Sequence, residues 1–306
     1  MDAHLRDLRY FVAVAEELHF TRAAERLHIS QPALSKQIRQ LERDLGFQLF
    51  EREHRQVALT DAGSLLLAQT RELLDHWDET LAEATRVARE AASLLHIGFQ
   101  TSVAGPLYQA AVSLFRKRHS NWSVELKLHS WADPTAGLAD RSSDVAFVWL
   151  PLPGRPQLHS QVLRHEPRRV ALWPDHRLAD RGELRIADLL DEPFVALPAA
   201  AGPARDFWLA LDNRDSHPVR IGAQVETPDE AFEAVAARQG VVLLSEGNAE
   251  LYSRPGIITL PVIDLTPAEL AIAWRTDDRR PITLEFVDAA QQAAAAYPSS
   301  KMGTSS

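Results

Sequence analysis

Apolar residues return with a helical period through the first ninety or so residues and then give way to short strand-like runs. Ala23, Ala24 and Leu27, followed by Leu34, Ile38 and Leu41, recur at three- and four-residue steps, which gives two short helices one buried face each. Small Ala23 and Ala24 let these helices approach closely. Ser30 is placed to N-cap the second, and Pro32 in its first turn gives up no hydrogen bond. From Thr60 to Ala92 there is no proline, and after Gly63 no glycine. Leu66, Leu73, Trp77, Leu81, Ala84, Ala88 and Ala91 then form a heptad-like seam on one long helix. A helix so polar elsewhere needs a partner for that stripe, either its own domain or a second copy of the chain.

Beyond Leu94, apolar runs predict strands over 96–99, 122–128, 145–150, 169–173, 194–197, 223–226, 241–244, 257–260 and 270–274. Amphipathic segments over 107–118, 204–211, 228–238 and 284–296 predict helices, and the alternation argues for open α/β sheets. Two turn-rich stretches, 151–156 and 262–267, read as crossings between two lobes.

The polar faces carry the chemistry. Gln31, Ser35, Lys36 and Arg39 point away from the apolar face of the second short helix, and such side chains hydrogen-bond base edges and phosphates. Two helices joined by a tight turn are the geometry that lays a helix in the major groove. A packed helical hairpin with a solvated basic face would also satisfy the periodicity, but it would not require the cap, the first-turn proline and the small residues together.

These residues resemble the N-terminal winged helix-turn-helix of LysR-type transcriptional regulators. Residues 8–18 match the leading helix, 21–24 and 30–34 the signature core, and Leu41-Glu42-Arg43-Asp44-Leu45-Gly46 the close of the recognition helix. Leu49-Phe50-Glu51-Arg52, Val57-Ala58-Leu59-Thr60 and Asp61-Ala62-Gly63 match the wing and its exit. Leu18-His19 departs from a common Gly-Ser pair, and Lys36 stands where Arg is common. Lysine is a point charge without the planar fork that reads guanine bidentately.

The resemblance implies an α/β protein with an N-terminal winged helix-turn-helix over 1–60 and a linker and dimerisation helix over 61–93. A two-lobed effector domain, like a periplasmic-binding protein, follows over 94–295. One lobe comprises 94–162 and 266–295, the other 163–265, and a flexible tail covers 296–306. Thr21, Ser30, Gln31, Pro32, Ser35, Lys36, Arg39, Arg52 and Arg55 are the expected DNA contacts, and Leu66, Leu73, Trp77 and Leu81 the expected dimer seam.

A net charge of −9 is the opposite of what a DNA binder calls for. Residues 1–60, however, hold nine Lys+Arg and nine Asp+Glu against 33 and 42 in the whole chain, so the excess of acid lies beyond residue 60. Local placement of cations must supply the phosphate contacts. The 306 residues suffice for two or three domains. With no cysteine there is neither a disulfide framework nor a thiolate zinc site. No stretch has the roughly twenty apolar residues of a membrane span, and the expected location is the cytoplasm, at the nucleoid.

Open α/β sheets bind ligands beyond the carboxyl ends of strands, where helix N-termini offer free N–H groups. Gln100, Thr101 and Ser102 follow the first such strand, and the resemblance makes Ser102 the effector-contacting hydroxyl. Ser130 follows the next strand and Thr227 opens a helix. The three hydroxyls are expected to converge on one cleft, although each is equally well read as an N-cap. Trp131 and Trp149 line an aromatic pocket or fill a core. Val148-Trp149-Leu150 occupies a place where some aromatic-acid-responsive family members carry a basic residue, so no arginine clamp is evident. The expected effector is an organic acid or an aromatic molecule.

Enzyme readings find no support. His165-Glu166 lacks the second histidine of a zincin helix, no Gly-x-Ser-x-Gly, Gly-x-Gly-x-x-Gly or P-loop occurs, and His119, His129, His159 and His176 read as surface residues. The expected partners are a double-stranded DNA operator, a small-molecule effector, one or three further copies of the chain and RNA polymerase. No membrane, metal or cofactor is expected. The competing readings are a sensor whose helix-turn-helix contacts protein, or an enzyme without a readable catalytic motif.

Overall fold

The computed structural model describes residues 4–51, 57–101, 105–154 and 157–296. Arg52, Arg55, Ser102 and the tail over 297–306 lie outside the described residues. The chain forms two compact units, 1–84 and 85–306.

The first unit begins with α1 (Leu5–Glu17), α2 (Phe20–Arg26) and α3 (Gln31–Leu45), and a short hairpin of β1 (Phe50–Glu51) and β2 (Ala58–Leu59) follows. Phe11, Leu34, Ile38, Leu41 and Phe50 are fully buried at its centre, with Phe50 edge-on to Phe11 and Phe20. The Glu42 carboxylate of α3 accepts the backbone N–H groups of Leu49 (3.0 Å) and Phe50 (3.3 Å), which fixes the hairpin on the recognition helix. Helix α4 (Asp61–Ala91) starts where Thr60 Oγ1 accepts the Gly63 N–H at 2.9 Å. Position 63 must be glycine, because a Cβ there would lie 2.2 Å from the Leu49 carbonyl oxygen.

Helix α4 does not keep its whole apolar stripe free. Leu66 packs with Leu67 against the core of the first unit, Thr70 and Leu74 are buried, and Arg71 and Asp78 pair with Glu16 (3.0 Å) and Arg9 (2.7 Å). Leu66 is therefore removed from the expected seam by its own domain. Leu73, Trp77 and Leu81 remain 50%, 44% and 54% exposed.

The second unit contains β3 (Leu94–Phe99), α5 (Gly105–Arg118), β4 (Ser123–Leu128), β5 (Val145–Trp149), β6 (Leu158–Glu166), β7 (Arg168–Leu172), β8 (Pro193–Ala196), α6 (Pro203–Trp208), β9 (Arg220–Gln224), α7 (Pro228–Ala236), β10 (Val242–Ser245), α8 (Glu246–Leu251), β11 (Ile258–Pro261), β12 (Ala268–Arg275) and α9 (Pro281–Ala296). One sheet has the order β4-β3-β5-β12-β6, with β3 parallel to β4 and β5, and β12 antiparallel to β5 and β6. Helices α5 and α9 cover it, burying Phe115, Phe147 and Phe286 among Leu95, Ile97 and Ile272. In the other lobe β7 lies between β10 and β11, and parallel β8 and β9 join through the Phe194–Val241 bridge.

Strand β6, absent from the sequence-based elements, moves the lobe boundary. It pairs with β12 from Leu158 opposite Arg275 to Glu166 opposite Ala268, so 151–156 joins strands of one sheet. The first change of lobe falls instead at Pro167, which has no N–H to continue a ladder. As an edge strand with mostly exposed polar side chains, β6 has no apolar run to announce it. The return crossing falls within 262–267.

Candidate functional site

Two surfaces bear on function. On α3 the Ser30 hydroxyl accepts the Ala33 N–H at 3.4 Å, so this expected DNA contact is occupied as an N-cap. Gln31 Nε2 donates to Ser35 Oγ (2.9 Å) and Arg39 Nε to the Ser35 carbonyl (3.1 Å), which lays both side chains along the helix. Thr21, Gln31, Pro32, Lys36 and Arg39 are exposed, and Ser35 is half-buried. At 100° per residue Pro32, Lys36, Arg39 and Arg43 fall within about 30° of one line, opposite buried Leu34, Ile38 and Leu41.

Arg43 is a further cation on this face. Its signal in the sequence is its spacing, four residues after Arg39 and seven after Lys36. Arg9, Arg22, Arg26 and Arg71 are each neutralised by a carboxylate. Lys36, Arg39 and Arg43 meet none at salt-bridge distance among the described residues.

The second surface is a cavity of about 60 Å³ between the lobes. Lobe one contributes Gln100, Thr101, Trp131 and Trp149, all expected from the sequence; lobe two adds Trp208 of α6, Phe232 of α7, and Asn248 and Tyr252 in and after α8. Trp149 Nε1 donates to Thr101 Oγ1 at 3.1 Å, and the Trp149 ring stands edge-on to Trp208, centroids 6.0 Å apart. Gln100 Nε2 donates to the carbonyls of Ser130 (3.3 Å) and Asp133 (2.7 Å), holding the loop that carries Trp131.

The other two expected hydroxyls do not line this cavity. Ser130 Oγ donates to Glu226 Oε2 at 2.9 Å and accepts the Ala132 N–H, so it fastens one lobe to the other. Thr227 Oγ1 accepts the Glu230 N–H at 3.3 Å and is the N-cap of α7, the alternative its sequence position had offered. Among the described residues that line it there is no Lys, Arg or His.

The wall is fixed at the two crossings. Arg168, 1% exposed, donates to the Thr266 carbonyl (2.8 Å), Thr266 Oγ1 (3.2 Å) and the Phe207 carbonyl (2.9 Å), and lies over the Phe207 ring. Burial lowers its pKa to about 10, so it stays charged at neutral pH. Glu166 Oε2 accepts the Gly247 N–H at 2.9 Å and ties β6 to α8. His176, expected at the surface, is buried with Nε2 3.2 Å from Glu192.

Comparison with known proteins covers both parts of the chain. The family model for the bacterial regulatory helix-turn-helix protein of the lysR family matches residues 5–64, and that for the LysR substrate binding domain matches 88–295. The transcriptional regulator XapR of Escherichia coli is 32% identical over 94% of this chain and 97% of its own length. BenM of Acinetobacter baylyi is 31% identical over 88% of this chain and 89% of its own. The crystal structure of full-length BenM superposes with a TM-score of 0.53 at 28% identity, covering 96% of this chain and 97% of that one.

The chain belongs to the LysR family of transcriptional regulators. It is a DNA-binding regulator that answers to a small-molecule effector, and not an enzyme.

Proposed function

We propose that two copies pair through the exposed stripe of α4 at Leu73, Trp77 and Leu81, and set two α3 helices into successive major grooves of a two-fold operator. Dimers pairing into a tetramer would extend the same arrangement. The observation that carries the DNA-reading role is the line of Lys36, Arg39 and Arg43, which lacks carboxylate partners among the described residues, on a helix whose opposite face is buried. Gln31 and Ser35 flank that line and read bases, Thr21 and Pro32 contact the backbone, and Arg52 and Arg55 add phosphate contacts from the wing. The protein acts in the cytoplasm at the nucleoid, with RNA polymerase as its partner once the operator is bound.

The effector sits in the cavity between Trp149 and Trp208. Of the two classes named from the sequence, organic acid and aromatic, the lining favours an aromatic molecule, because three tryptophans and Phe232 stand in its walls and no cation is among its described lining residues. Retention of genomic fragments by the full-length protein at moderate salt, followed by footprinting, tests the reading. Protection of two half-sites about 34 Å apart, or a multiple of it, is expected; retention of all fragments alike would refute it.

A further inference from the structure

We infer that the cavity selects a neutral single-ring aromatic molecule bearing a carboxamide-like group, with Asn248 as its specificity determinant. The inference rests on the placement of the effector between Trp149 and Trp208. Asn248 is 8% exposed and lines the cavity, yet its side-chain amide has no hydrogen-bond partner among the described residues; only its backbone N–H is engaged, with Ser245 Oγ at 3.3 Å. The amide opens on the cavity with a donor and an acceptor uncommitted, so a ligand offering the complementary pair can engage both.

The remaining polar inventory is of mixed sign. The Thr101 hydroxyl accepts from Trp149 and keeps its own hydrogen to donate, whereas Gln100 spends Nε2 on two carbonyls and keeps Oε1 to accept. A carboxamide offers both a donor and an acceptor to such a set. A carboxylate offers only acceptors, would meet Gln100 Oε1, and finds no cation among the described lining residues. Glu226, hydrogen-bonded to Ser130 at the lobe junction, adds negative charge nearby.

Size restricts the ligand further. At about 60 Å³ the cavity holds only a few waters. One ring enters by parting Trp149 from Trp208, and two fused rings would require a still wider opening. A ligand shifts the regulator only by its differential affinity for the two lobe arrangements.

Benzamide and benzoate, nearly equal in shape and different in charge, are the probes. Calorimetric titration of the full-length protein should show benzamide binding at least about tenfold more tightly than benzoate, with quenching of tryptophan fluorescence. Asn248→Leu should weaken benzamide about tenfold or more and leave the small benzoate affinity unchanged. Should that variant fail to fold, Asn248→Ala, which removes the amide without adding charge, makes the same comparison. Benzoate binding as tightly as benzamide would overturn the inference, as would no binding of either probe at millimolar concentration. The fragment-retention experiment is read without either probe, so failure here is distinguishable from failure of the regulator reading.

Discussion

Replacing Gln31 by alanine separates base reading from phosphate binding. Gln31 is the first residue of α3, exposed and held along the helix by its hydrogen bond to Ser35 Oγ, and recognition helices present their N-terminal residues to base edges. A glutamine pairing with an adenine edge discriminates by about 1–3 kcal/mol, roughly 5- to 150-fold per half-site. Arg43→Ala, on the line of Lys36 and Arg39, removes one phosphate contact from each subunit. With a slope near −0.9 per phosphate, a dimer loses about 1.8 from the salt dependence of log K. Anisotropy titrations on the operator, a one-base-pair variant and random DNA, at several salt concentrations, resolve the two. Gln31→Ala should abolish the difference between operator and variant with its salt slope intact; Arg43→Ala should weaken all three DNAs alike. If Gln31→Ala lost affinity equally on operator and random DNA and flattened the salt slope, Gln31 would be a phosphate contact and the orientation of α3 on the duplex would be wrong.

The packing sets three further outcomes. Leu73→Asp combined with Trp77→Asp places two charges in the exposed stripe of α4 and should leave a monomer by light scattering; an intact dimer would exclude the stripe as the seam. Asp144→Ala removes a buried carboxylate that accepts from Arg280 (2.8 Å) and from the His96 N–H (2.8 Å) and lies 3.7 Å from Arg89, and should lower the stability of the second unit by about 3–5 kcal/mol; urea unfolding followed by tryptophan fluorescence reports it, and a loss below about 1 kcal/mol would mean the site relaxes around Arg280 and Arg89. Burial, with a contribution from the Arg89 charge, holds the His96 imidazole below its ordinary 6.5, so the unfolded chain takes up the proton first and stability declines as pH falls below 6.5. His96→Gln should remove up to about 1.4 kcal/mol per pH unit of that decline between pH 6.5 and 5, and identical profiles for variant and parent would refute the linkage.

Locality decides how much of this is legible in the sequence. The first unit is built from contacts between neighbours in the chain, so caps, the first-turn proline and a three-to-four period specify α2, α3 and their polar face directly. The shortfall there, Leu66, comes from treating α4 as one continuous seam, although the buried Thr70 and Leu74 show a face turned to the core. The cavity is half legible. Gln100, Thr101, Trp131 and Trp149 follow or end strands of lobe one, where the chain order points to them. Trp208, Phe232, Asn248 and Tyr252 come from α6, α7 and the α8 region, brought to the same place only by the pairing of β7 with β10 and β11, and no local pattern marks them. Ser130 and Thr227 fail as lining residues because a hydroxyl's local use, on Glu226 or as a cap, satisfies it as fully as a ligand would.

Strands β3 and β5 connect the cavity with the end of α4. These parallel strands pair at Ile97–Val145 and Gly98–Ala146, and both run from the end of α4 to the cavity. At their starts lie His96 and Asp144; Arg89 of α4, buried, is 2.7 Å from His96 Nδ1 and 3.7 Å from Asp144, and donates to the Arg141 carbonyl at 2.7 Å and the Ser142 carbonyl at 3.1 Å. At their far ends lie Gln100 and Thr101 after β3, and Trp149 on β5. Five residues at about 3.3 Å each make the span roughly 17 Å. Strands this short and buried do not stretch, and β3 is further clamped because a Cβ at Gly98 would come within 1.9 Å of the Ala136 carbonyl oxygen. That carbonyl belongs to the same stretch of chain, 130–137, whose start Gln100 holds. The strands that carry Thr101 and Trp149 to the cavity therefore hold Arg89 of α4 at their other end.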